Sequence, residues 1–314
     1  MEDLKKQYLH CLVGCDIGKR PIDLHLKGLK ALGITVSEQE GKILCAGDKI
    51  TGTKIELEFP SVGATENIML VAVLAEGQTV ILNAAKEPEI VDLEKYLNKM
   101  GAKISGSGTD VIKILGVKKL QDVSYHIMPD RIEAGTLLCA AAATEGEIKI
   151  KNVIPEQMTS ITQKLEECGC KLDVCKNMIT LKAPKRLKGV DIETLPYPGF
   201  PTDMQSVFVG MLSISKKTSL VTENIFENRY KYIDELNKMG AKIKVEERSA
   251  KIYGVKKLKG CEVLAKDLRG GAGLVIAALQ ARGQTRINNA NHILRGYENL
   301  DKKLNSLGAQ ITIE

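Results

Sequence analysis

LEKYLNKMGAKI, residues 93–104, decides how the rest of the chain is read. Leu93, Leu97 and Met100 recur at helical spacing, Gly101 supplies the turn that ends the helix, and Ala102–Ile104 opens a strand. The pattern returns as LKGLKALGITV (26–36), ITQKLEECGCKL (161–172), IDELNKMGAKI (233–243) and LDKKLNSLGAQI (300–311). The terminal glycines Gly33, Gly101, Gly169, Gly240 and Gly308 stand 68, 68, 71 and 68 residues apart. That beat is too long for the common solenoids, and each unit is large enough to bury a face of its own.

A second marker keeps the same beat. AVLAEGQTVILN (72–83), AAATEGEIKIKN (141–152) and ALQARGQTRINN (278–289) each predict a small-residue helix, a glycine turn and a strand closing on Asn. MLSISKKTSLVTEN (211–224) is the remaining copy, with lysine in place of the glycine. Each unit is therefore β-α-β-α-β-β, its alanine-rich helix buried all round and its leucine helix half exposed. Four copies of the second marker against five of the first leave the opening unit without its front half.

With 314 residues the chain exceeds one hydrophobic core, so two domains are expected. LLCAAAA (137–143) is far short of the roughly 20 apolar residues of a membrane span, and MEDLKKQYLHCLVG lacks the apolar heart of a secretory signal. The expectation is a cytoplasmic protein with its eight cysteines reduced. Cys168, Cys170 and Cys175 form one cluster; buried small hydrophobes are the simpler reading, since a zinc site would lack a nearby histidine and a second paired half. The net charge of +6 suits an anionic small molecule as well as nucleic acid, but with no Trp and four Phe the chain has few platforms for stacking bases.

Arginines recur at matching places: Arg20 in GKRPID, Arg131 in MPDRIEAGT, Arg229 in FENRYKY, Arg269 in KDLRGGAG and Arg295 in LRGYENL. A cation at a helix N-terminus is unfavourable for the helix itself, so several in register point to an anion, which the guanidinium fork binds bidentately. Solvated arginines or pairs such as Asp130/Arg131 explain single cases. In GFPTDMQ (199–205), Thr202 or Asp203 caps the following helix, or Asp203 is a carboxylate beside an anion site that takes a proton from a hydroxyl. SVGATEN (61–67) offers backbone amides to a phosphate or carbonyl. Cys15 lies between Gly14 and Gly18, with Lys19 and Arg20 near enough to favour its thiolate.

Taken in order, GCDIGKRPIDLH (14–25), FPSVGATENIM (59–69), NAAKEPEIVDL (83–93), MPDRIEAGT (128–136), FPTDMQ (200–205), TENIFENR (222–229), DLRGGAG (267–273) and HILRGYE (292–298) closely resemble the UDP-N-acetylglucosamine 1-carboxyvinyltransferases of the enolpyruvyl transferase family. The likeness runs from Cys15 to Glu314. It implies an α/β fold of two inside-out α/β barrels, helices within and sheets outside, built from six repeated units. Residues 1–127 then form an incomplete first globule carrying the Cys15 loop and UDP-binding turns, and 128–314 the second, carrying Asp203 and the arginine cluster.

By the same resemblance, phosphoenolpyruvate and UDP-N-acetylglucosamine bind in the cleft between globules. The enolpyruvyl group passes to the sugar 3-hydroxyl and phosphate leaves, with no metal or organic cofactor, no nucleic acid and no membrane partner. This is the first committed step of peptidoglycan precursor synthesis, hence of cell wall biogenesis, cell shape and division. Asp203 is the implied base on the hydroxyl. Cys15 is the loop cysteine tied to methylene protonation and product release, and the fosfomycin target. Arg20, Arg229, Arg269 and Arg295 grip phosphoenolpyruvate, with Asp267 an acidic partner nearby. Arg20, Pro21, Ile22, Asp23 and Leu24, with Ser61, Val62 and Gly63, resemble the UDP-binding turns, and Ile225 lines the sugar side.

The chain departs from the pattern in lacking about the first hundred residues, among them a Gly-Ala-Lys-Asn-Ala motif, and in carrying Phe59 where some relatives have lysine. The expectation is an N-terminally truncated enolpyruvyl transferase. Alternatives are a non-catalytic UDP-sugar binder, a fragment completed in trans, and the sister 3-phosphoshikimate 1-carboxyvinyltransferase.

Overall fold

In the computed structural model, which describes residues 6–10, 22–39, 42–47 and 49–314, the five glycines that punctuate the repeat all have positive φ, between 91° and 103°. Each ends its leucine helix in the left-handed conformation that a Cβ disfavours. The asparagines that close the second marker behave alike: Asn83, Asn152 and Asn289 have φ of 52°, 58° and 59°.

The chain divides into two compact units, one ending at Met128 and the other running from Pro129 to Glu314. In the first, β1 (Lys6–His10), α1 (Asp23–Ala31), β2 (Thr35–Gln39) and β3 (Lys42–Ala46) make an antiparallel sheet of order β1-β3-β2 with one leucine helix. A full repeat follows: β4 (Lys54–Glu56), α2 (Val62–Ala72), β5 (Gln78–Leu82), α3 (Pro88–Lys99), β6 (Lys103–Ser105) and β7 (Val111–Leu115). Its sheet runs β4-β5-β7-β6, with β4 and β5 parallel and the other pairs antiparallel. β1 pairs with β3 as β5 pairs with β7, so among the described residues the opening unit holds only the rear part of the repeat. Helix α2 buries Ala64, Ile68, Met69 and Ala72 but leaves Leu70 about half exposed, as is Leu74 just past its end.

The second unit begins with α4 (Arg131–Ala143), β8 (Glu147–Lys151), α5 (Thr159–Glu167), β9 (Lys171–Cys175) and β10 (Met178–Lys182). It continues with β11 (Ile192–Glu193), α6 (Gln205–Leu212), β12 (Ser219–Thr222), α7 (Ile233–Lys238), β13 (Lys242–Glu246) and β14 (Ser249–Tyr253). The last copy comprises β15 (Leu258–Lys259), β16 (Glu262–Leu264), α8 (Leu268–Leu279), β17 (Ala281–Arg282), β18 (Arg286–Asn288), α9 (Asn291–Leu294) and α10 (Leu300–Ser306). Only the middle copy has every strand of the β-α-β-α-β-β pattern; the first lacks its leading strand and the last its closing pair.

The apolar helices α4, α6 and α8 pack on one another, with the sheets outside them. This is the inside-out arrangement, but the sheets stay as separate two-, three- and four-stranded pieces and close no barrel. Where α6 and α8 touch, the backbones nearly meet: a Cβ on Gly210 would lie 2.3 Å from the Gly273 carbonyl oxygen, and one on Gly273 2.5 Å from that of Ser206. The half-exposed helices are tied to the segments that follow them by a recurring device. The side chains of Asn98, Asn237 and Asn305 each accept from the N–H and donate to the C=O of Ile104, Ile243 and Ile311, six residues on, at 2.7–3.1 Å. The amide fits because it carries both acceptor and donor.

Two substitutions test these constraints in urea melts. Gly273→Ala forces α6 and α8 apart and is expected to cost about 1–3 kcal/mol or more. Asn237→Ala leaves both strand groups of Ile243 without their partner, for about 1–3 kcal/mol.

Candidate active site

GFPTDMQ becomes a 3₁₀ turn, Thr202–Met204, that runs into α6. Neither helix start receives a side-chain capping bond, so the capping reading of Thr202 and Asp203 is corrected. Both side chains are taken by distant partners. Asp203 Oδ1 accepts from Arg229 Nη2 at 2.9 Å and from Arg269 Nε at 3.2 Å. The Thr202 hydroxyl donates to Glu223 at 2.9 Å.

Each arginine is held from behind. Arg269 is the second residue of α8, whose N-terminus is capped by Asp267 accepting from Gly270 N–H at 2.8 Å. Its guanidinium lies 5.3 Å from the centroid of the Tyr297 ring, and the Tyr297 hydroxyl bonds that of Thr136 on α4 at 3.0 Å. Arg229, in the turn before α7, lies 5.2 Å from the Phe226 ring. The Arg229 and Arg269 side chains are 5% and 15% exposed, while that of Asp203 is 43% exposed, so the cluster has a wet mouth and a dry floor.

Two cations face one anion here, and Arg229 Nε and Arg269 Nη1 are buried without a hydrogen-bond partner in the described residues. Leaving buried charged donors unbonded is costly. Such donors are free to bond a further anion. Burial pushes the Asp203 carboxyl up, but Arg269 and Arg229 outweigh it and hold the group below the ordinary carboxylate range.

Ile225 lies four residues before Arg229, and its N–H donates to Glu223 at 2.9 Å. Arg295 is exposed at the end of α9, two residues before Tyr297, and the structure shows no bond from it to Asp203. Arg131 opens α4, which Asp130 caps, and its guanidinium lies 5.6 Å from the centroid of the Tyr197 ring. Cys168 and Cys170 are buried in the core, their thiols pushed up to about 12 and about 11, chiefly by burial. Among the described residues, no group of three or more His, Cys, Asp and Glu side chains is gathered for a metal.

The first unit assembles its own set. Ile22 precedes α1, Asp23 and Leu24 open it, and Ser61 caps α2 by accepting from Ala64 N–H at 3.3 Å. Val62 and Gly63 are the first residues of α2, and Gly63 faces the ring of His25, where a Cβ would come within 3.0 Å. Asn67 Nδ2 donates to His25 Nδ1 at 2.6 Å, so the first turns of α1 and α2 lie side by side. Cys15, Arg20 and Pro21 lie outside the described residues. His25, Glu223 and Tyr297 were not singled out in the sequence, because their partners are 21 to 161 residues away or set by a turn.

The family model of EPSP synthase (3-phosphoshikimate 1-carboxyvinyltransferase) matches residues 7–304. Among curated proteins, the chain is 58% identical over 308 residues to UDP-N-acetylglucosamine 1-carboxyvinyltransferase 2 of Caldanaerobacter subterraneus subsp. tengcongensis, covering 98% of this chain and 74% of that one. It is 53% identical over 298 residues to the enzyme of that name from Clostridium tetani, covering 95% and 72%. Among solved structures, it matches the enolpyruvyl transferase NikO from Streptomyces tendae with TM-score 0.86 at 22% identity, over 98% of this chain and 74% of that one. EPSP synthase from Acinetobacter baumannii matches with TM-score 0.73 at 19% identity, over 99% and 75%. The fold is that of the enolpyruvyl transferases, and the chain belongs to their family. Its curated relatives above carry the name of the nucleotide-sugar branch.

Asp203→Asn removes the one anion between two guanidinium groups. Breaking a buried ion cluster costs about 3–5 kcal/mol, and solvent at the mouth lowers the expectation here to about 1–2 kcal/mol. Because the folded pKa is depressed, the carboxylate's contribution is fully present above the unfolded value of about 3.9 and is lost as pH falls through the folded value. Urea melts from pH 7 to pH 3 should therefore show a constant gap between wild type and variant down to about pH 4, then convergence.

Proposed function

We propose that this chain transfers the enolpyruvyl group of phosphoenolpyruvate to the 3-hydroxyl of UDP-N-acetylglucosamine and releases phosphate. This is the first committed step of peptidoglycan precursor synthesis, carried out in the cytoplasm. The observation that carries the reading is the Asp203 carboxylate held by two arginines that still have buried unbonded donors. It stands in a chain 58% identical to a relative of that name.

Phosphoenolpyruvate brings a phosphate and a carboxylate. Engaging Arg229 and Arg269, these draw the guanidinium groups from Asp203 Oδ1, and its pKa climbs back toward the ordinary range. Asp203 then takes the proton of the 3-hydroxyl as that oxygen adds to C2 of the enol. A proton reaches C3, a role assigned to Cys15 by resemblance. The tetrahedral adduct then loses a proton from C3 as the C2–O bond to phosphate breaks. Preorganised arginines stabilise the charge on the phosphate and carboxylate throughout. The paired N-terminal turns of α1 and α2 suit the diphosphate of the nucleotide, since Val62 and Gly63 present amides there.

A phosphate-release assay with both substrates tests this. Asp203→Asn is expected to lower kcat at least about a hundredfold, the lower range for loss of a general base. Equal rates for wild type and variant would refute the assigned role. Calorimetric binding of UDP-N-acetylglucosamine without turnover would instead favour a non-catalytic binder.

A further inference from the structure

Glu223 is fully buried, and among the described residues no cation is bonded to it. Four neutral donors satisfy it instead. Oε1 accepts from the Thr194 hydroxyl at 2.9 Å and from the N–H groups of Ile225 and Phe226 at 2.9 and 3.1 Å. Oε2 accepts from the Thr202 hydroxyl at 2.9 Å. Its own N–H is pinned to the Arg248 carbonyl at 2.8 Å, and Thr194 Oγ1 accepts in turn from Asn224 N–H at 2.9 Å.

A buried carboxylate without a countercharge is an expensive way to fill a core, because desolvation of the ion must be offset entirely by hydrogen bonds. A purely structural site is filled more cheaply by an apolar side chain. What a carboxylate alone supplies is two acceptor oxygens with no donor, able to gather hydroxyls and amides from separate segments in charge-assisted bonds. The segments gathered here are telling. Thr202 directly precedes Asp203, and the Ile225–Phe226 amides begin the turn that leads to Arg229 and places Phe226 against its guanidinium. Thr194 anchors both to the end of β11.

We infer that Glu223 is a positioning residue for the proposed transfer: through Thr202 it sets Asp203 against the turn bearing Ile225 and Arg229, without touching substrate. The inference rests on the transferase reading. Misplacing a reacting group by about 1 Å costs about a hundredfold in rate.

Glu223→Ala risks the fold, so the test is made one link away. Thr202→Val keeps the side chain's shape and removes only the donor to Oε2; Thr202→Ser restores that donor. In the phosphate-release assay, Thr202→Val is expected to lower kcat about ten- to a hundredfold with KM for UDP-N-acetylglucosamine changed less than about threefold, while Thr202→Ser stays near wild type. Thermal melts of all three proteins should agree within a few degrees. Wild-type kcat in Thr202→Val would overturn the inference, as would equal losses in the valine and serine variants. Absence of phosphate release from wild type would overturn the transferase reading first, and this inference with it.

Discussion

A single carboxylate oxygen, Asp203 Oδ1, is shared by two buried guanidinium groups that come from different repeats of the chain. The rest of the second unit is arranged around keeping that geometry. Arg269 is placed by a helix capped by Asp267 and braced by Tyr297, which is itself tied to the first helix of the unit. Arg229 is placed by a turn whose amides are gathered by Glu223, and Glu223 also holds the residue before Asp203. The helices that carry these parts approach so closely that glycine is required at Gly210 and Gly273. Helix packing thus sets the separation of Asp203 and Arg269.

An excess of cation at a partly wet site has two consequences. It makes Asp203 a poorer base in the free chain, because the two arginines favour its charged form. It also makes the site respond to an anion, since any ligand that claims the arginines releases the carboxylate. In the proposed reaction, binding of the anionic substrate would then prepare the group that activates the other, through Coulomb attraction among three side chains and the incoming charge.

Much of the architecture could be read from the sequence because it is written in local chemistry. Gly101, Gly240 and their counterparts mark helix ends through backbone conformation, Asn83 and Asn152 mark the left-handed exits of strands, and the small-residue segments announce burial, complete in α6 but not in α2, where Leu70 is half exposed. Spacing then revealed the repeat. The closure of the sheets was not legible, since it depends on strand pairing between repeats; they remain separate pieces. The site was legible in its residue types but not in its bonds. Thr202 and Asp203 have the composition of helix caps, and only distant partners, Glu223 at 21 residues and Arg269 at 66, divert them to other work. Tyr297 is 161 residues from Thr136, beyond anything a local pattern encodes.

The most direct measurement is the titration of the Asp203 carboxyl carbon by nuclear magnetic resonance, assigned against the Asp203→Asn variant, with and without phosphoenolpyruvate. The account predicts a pKa below the ordinary aspartate value of about 3.9 in the free chain and a rise when the anion binds. An ordinary pKa in the free chain, or one that stays put as phosphoenolpyruvate saturates the protein, would contradict it.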